Sequence, residues 1–96
     1  MAYTIIADVP NGSREFDEEM MKKLNYRNDS PAGAIARFAG SHQGTWRIIS
    51  VWESKEAWEN FRRDRLEPAL RDAGRPVPEF DGYSLDSVFI PNKVGV

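Results

Sequence analysis

The sequence contains no cysteine. That excludes disulfides, thiolate nucleophiles and cysteine-ligated zinc or iron–sulfur centres. Histidine is nearly as scarce. His42 stands alone, so no second histidine can share a metal with it, and neither an H-x-x-H nor a carboxylate–histidine helix motif occurs. No run of about 18 apolar residues offers a membrane span, and the start MAYTIIADV lacks the basic head and small-residue cleavage site of a signal peptide. A cytoplasmic protein with no membrane partner is expected. Acidic and basic residues are interspersed and leave a formal net charge of −2, which gives no footprint for nucleic acid. There is no glycine-rich phosphate loop, no G-x-S-x-G elbow and no nucleotide fingerprint. No metal and no cofactor are expected. Chemistry must then rest on His42, carboxylates, Arg, Lys, Tyr, Trp or amides.

What the sequence does have is a strand that runs straight into a helix between Ile48 and Leu70. Ile48, Ile49, Val51 and Trp52 are β-branched or aromatic, as expected of a strand covered on both faces. Ser54 can cap the following helix, and Glu53 and Glu56 carry negative charge where the helix dipole is positive. Ala57, Trp58, Phe61, Leu66 and Leu70 recur at helical spacing, with Glu59, Arg62, Arg63 and Asp64 on the opposite face. Pro68 lacks an N–H and predicts a kink or a fresh helical start near Glu67.

The remaining elements follow from local chemistry. Tyr3 to Val9 alternates as a first strand, ended by Pro10-Asn11-Gly12. Ser13 can cap a helix with the apolar face Phe16, Met20, Met21 and Leu24, acidic at its start and with Lys22 and Lys23 at its end. Asn28 to Gly33 is a loop. Ala34 to Ala39 and Thr45 to Trp52 form a hairpin across Gly40-Ser41-His42-Gln43-Gly44. Opposing Gly40 to Thr45 would set Arg37 against Ile48, on one face with Trp46, Ser50 and Trp52, whereas a one-residue shift would turn it to the other. Gly74 is placed to end the second helix, Tyr83 to Ile90 reads as the last strand, and Pro91 to Val96 as a tail.

The 96 residues thus read as one domain with the order βαββαβ, the α+β pattern of a ferredoxin-like sandwich with a four-stranded antiparallel sheet. Helices would cover one face only. Yet the strands are apolar on both sides, Ile49 and Val51 against Ile48 and Trp52, Val88 and Ile90 against Leu85 and Phe89. A second copy of the chain is expected to cover the bare face.

Val51-Trp52-Glu53-Ser54-Lys55-Glu56-Ala57-Trp58, then Phe61 and Leu66-Glu67-Pro68-Ala69-Leu70, with Gly33 to Trp46 upstream, resemble the antibiotic-biosynthesis-monooxygenase-like family of dimeric α+β barrels. The resemblance covers most of the chain and implies a homodimer with a small, mostly apolar pocket between the sheet and the second helix. It also implies a cofactor-independent oxygenase or related tailoring step on a planar polyketide-like or phenolic substrate. Haem-degrading members place a tryptophan and an axial histidine where this chain has Phe61 and Arg71, so haem degradation by those residues is not expected.

Trp46, Trp52, Trp58 and Phe61 are the candidate pocket walls, and their alternative reading is simply the core of a small domain. Arg37 is the candidate catalytic residue. A guanidinium in the apolar strand Ala-Ile-Ala-Arg-Phe-Ala must find a carboxylate, water or a ligand anion, and the family often carries histidine there. In the oxygenase reading Arg37 pairs with a phenolate or enolate. An internal carboxylate partner, or the absence of a cavity, would count against that role. The rivals are a non-catalytic binding module, favoured if the pocket is filled by its own tryptophans, and an isomerase or cyclase using His42 or one of the strand-end carboxylates Asp8, Asp81 and Asp86 as proton shuttle.

Overall fold

A computed structural model describes residues 1–91. The expected tail lies, past Pro91, outside the described residues. The chain runs β1 (Tyr3–Pro10), α1 (Arg14–Lys23), β2 (Ala34–His42), β3 (Thr45–Trp52), α2 (Lys55–Phe61), a π-helical turn (Arg62–Leu66), α3 (Glu67–Asp72) and β4 (Phe80–Ser84). The strands form one antiparallel sheet in the order β2-β3-β1-β4. This is the expected ferredoxin-like βαββαβ arrangement.

Both helix starts are fixed by serine side chains. Ser13 Oγ accepts the Phe16 N–H at 3.1 Å and Ser54 Oγ accepts the Ala57 N–H at 3.0 Å, each satisfying a donor with no partner inside its own helix. The second helix absorbs Pro68 without breaking. Pro68 cannot donate to the carbonyl four residues back, and the preceding turn widens so that the Glu67 N–H reaches the Arg62 carbonyl. Its far end stops at Gly74, which takes φ +69.

The β2–β3 hairpin is tighter than expected. Gln43 and Gly44 alone make the turn, both at positive φ (47 and 79), and His42 is the last residue of β2, opposite Thr45. Arg37 therefore pairs with Ser50 rather than Ile48. The shift is by two positions, so Arg37 keeps the face expected for it, with Trp46, Ser50 and Trp52.

The last strand departs most from expectation. It spans Phe80–Ser84, not Tyr83 to Ile90. Asp81 and Gly82 read as turn residues, but Gly82 is required in the strand, because a Cβ there would lie 2.6 Å from the Tyr3 hydroxyl. Beyond it the Leu85 N–H still donates to the Ala2 carbonyl at 2.9 Å, while Val88, Phe89 and Ile90 are exposed.

Ile5, Trp52, Trp58 and Phe61 form the core on the helix-covered face. The other face carries Ile6, Ile49 and Val51, all half-buried, and the exposed Phe38 and Tyr83.

Candidate functional site

The elements enclose a cavity of about 450 Å³ between the sheet and the helices. Its walls come from all layers: Ile5, Ala7 and Ile48 from the sheet, Phe16, Met20 and Met21 from α1, Trp58 and Phe61 from α2, and Leu70 from α3. The resemblance placed the pocket against the second helix, and α1 closes it equally. Amphipathicity explains the enclosure, since each helix turns its apolar stripe to the sheet and the stripes do not quite meet.

All four expected wall residues line this cavity, but they do so as packed core. Trp52, Trp58 and Phe61 are only 1%, 5% and 7% exposed. Their rings contact one another, with centroids 5.6 Å apart for Trp52–Trp58 and 5.1 Å for Trp52–Phe61. They form a dry floor rather than an open stacking platform. Trp52 donates its indole N–H to Ser50 Oγ at 2.9 Å. Trp46 lies against the turn after β1, where a Cβ on Gly12 would come within 2.7 Å of its own Cβ. Its indole N–H is buried with no hydrogen-bond partner among the described residues.

Arg37 reaches the same cavity, and it is not a free cation. Its guanidinium forms a two-bond fork with Asp17 of α1, at 2.5 Å to Oδ1 and 3.1 Å to Oδ2. Both groups are largely withdrawn from water, with side-chain exposures of 19% for Arg37 and 9% for Asp17. Such a pair is held by its geometry, because removing either member strands the other's charge. An internal carboxylate thus occupies the place kept for a substrate oxyanion. The sequence did carry a signal for it: Asp17, Met20, Met21 and Leu24 stand at helical spacing, so a carboxylate lies on the apolar stripe of α1 just as an arginine lies in an apolar strand.

Two further cavity residues were not singled out from the sequence. Tyr26, just after α1, packs edge-on against Phe61 and lies under the Arg37 guanidinium, 5.8 Å from ring centroid to carbon. Burial pushes its phenol above its ordinary pKa, against the opposing pull of Arg37 and Arg65, so it stays a donor. Arg75, after α3, also lines the cavity and stacks on Phe16. The loop carrying Tyr26 is pinned by Arg65, which donates to the Leu24 and Asp29 carbonyls at 2.6 and 2.9 Å.

The proposed proton shuttles are not brought here. His42 is exposed at the hairpin end, Asp8 is engaged by Arg47 at 2.7 Å, and neither these nor Asp81 and Asp86 line the cavity. Among the described residues no three or more His, Asp or Glu side chains gather as metal ligands would.

Neither a family model nor a curated protein matches the sequence. Solved structures do match the fold. Rv0793 from Mycobacterium tuberculosis aligns with a TM-score of 0.68 at 13% identity, over 93% of this chain and 100% of that one. A candidate antibiotic biosynthesis monooxygenase from Chloroflexus aurantiacus aligns at 0.63 and 15% identity, over 93% and 97%. SnoaB, a cofactor-independent oxygenase from Streptomyces nogalater, aligns at 0.61 and 12% identity, over 95% and 97%. The chain has the ferredoxin-like fold of antibiotic biosynthesis monooxygenase-like proteins, in keeping with the resemblance carried by its VWESKEAW stretch.

Proposed function

We propose that the chain is a homodimeric member of this group that binds a planar, mostly apolar small molecule of aromatic or polyketide type in the cavity between sheet and helices. The carrying observation is a cavity of about 450 Å³ whose walls are apolar except for a few placed polar groups, the usual make-up of a small-molecule site. The bare sheet face supports the dimer. Phe38 and Tyr83 are 59% and 51% exposed there, and a two-fold partner would cover them.

Binding without turnover is favoured by the Arg37–Asp17 fork, which leaves Arg37 no free charge for a phenolate, and by the packed tryptophan floor. A second reading, cofactor-independent oxygenation of the bound molecule, is supported by the fold shared with SnoaB. One experiment separates them. Hydroxylated anthraquinones and naphthols are titrated while tryptophan fluorescence is followed, and oxygen uptake is recorded in the same mixtures. Saturable quenching without oxygen uptake is the expected result. Uptake with a hydroxylated product favours the second reading, and no saturable quenching overturns the binding proposal.

A further inference from the structure

The cavity is lined by two arginines, and only one of them is spent. Arg37 is committed to Asp17, and both oxygens of that carboxylate are used in doing so. Arg75 has no carboxylate partner among the described residues; its guanidinium carbon sits 4.0 Å from the centroid of the Phe16 ring. A stacked guanidinium uses its face and leaves the N–H fork along its edge available, and the stacking is weak beside a charge-assisted hydrogen bond. The backbone beneath is fixed: the Arg75 N–H donates to the Leu70 carbonyl at 2.9 Å, and Pro76 and Pro78 follow at once. The side chain can therefore leave Phe16 for a ligand while its Cα stays in place.

The other unused polar groups on these walls also donate. The Trp46 indole N–H is buried without a partner, and the Tyr26 phenol is held in its protonated form. A site whose acceptor is consumed internally and whose spare groups are a cation and two neutral donors matches a ligand that supplies acceptors and negative charge. A plain hydrocarbon would leave the buried indole unsatisfied, which is costly.

We propose that Arg75 is a specificity-determining residue that selects planar aromatic molecules bearing a carboxylate, with the carboxylate received by its guanidinium at the Phe16 side of the cavity. This rests on the binding function proposed above and names its ligand class. The test compares 2-naphthoic acid with its neutral counterpart, 2-naphthalenemethanol, by tryptophan quenching on the full chain, for the unmodified protein and for Arg75→Gln and Arg75→Lys. The acid should bind more tightly than the alcohol. Arg75→Gln should weaken the acid by about 10-fold or more, as expected for loss of a hydrogen bond to a charged group, and leave the alcohol within about twofold. Arg75→Lys, which keeps the charge and loses the planar fork, should fall between. Arg75 is exposed, so circular dichroism should be unchanged by either substitution. Equal affinity for acid and alcohol, or an Arg75→Gln effect of the same size on both, overturns this inference and leaves the binding function standing. Failure of both probes to bind overturns the two together.

Discussion

Asp17 and Arg37 bring together two mis-sided charges, and a double-mutant cycle reads what their pairing is worth. Removing one member of a fully buried pair costs about 3–5 kcal/mol, because a charge is left without its partner. Here Asp17 is 9% and Arg37 19% exposed at the side chain, and the cavity gives the survivor partial access to water. About 2–3 kcal/mol is therefore expected for Asp17→Leu or Arg37→Met alone. For a domain of this size that is a fall in Tm of roughly 10–20 °C. The double variant replaces both charges with apolar groups that suit the walls, and should lie within about 1 kcal/mol of the unmodified protein. Urea or thermal unfolding at one fixed protein concentration, needed because association would shift the midpoint, gives all four stabilities. The reasoning is refuted if each single change costs under about 0.5 kcal/mol and the two simply add.

Gly33→Ala should destabilise by about 1–3 kcal/mol, since φ is +82 and the new Cβ would stand 2.6 Å from that of Ala57; thermal unfolding reads it. Phe38→Asp, on the bare sheet face, should convert dimer to monomer in sedimentation velocity with the far-ultraviolet spectrum kept, and an unchanged sedimentation coefficient would count against that interface. Tyr26 should ionise above the model value of 10.0, because burial raises its pKa. With the folded pKa raised, its contribution is intact below pH 10.0 and is lost as pH rises through the folded value. A phenolate absorbance titration should lose its latest component in Tyr26→Phe.

Much of this was written locally and some was not. The serine caps were legible because an Oγ three residues ahead of an apolar stripe has one obvious use, and the Pro68 irregularity because the missing N–H is a property of that residue alone. Parity on the hairpin survived a two-residue error in register, since side-chain facing repeats every two positions. The last strand was misplaced because Asp81-Gly82 signals a turn locally, whereas the glycine answers to Tyr3, which lies far away in sequence. The site was read least completely for the same reason. Arg37 was marked as needing a partner, but choosing Asp17 over water or ligand required knowing that α1 lies over β2. Arg75 gave no sign in sequence, for it follows a helix end among prolines, and only packing brings it onto Phe16.

The central claim is that the cavity between sheet and helices receives a planar aromatic ligand, and a crystal structure of the protein grown with 2-naphthoic acid tests it most directly. The account predicts ring density within the space bounded by Phe16, Met20, Ile48 and Tyr26, with the Arg37–Asp17 fork intact. A protein that crystallises with that space collapsed, or with the ligand bound only elsewhere, contradicts it.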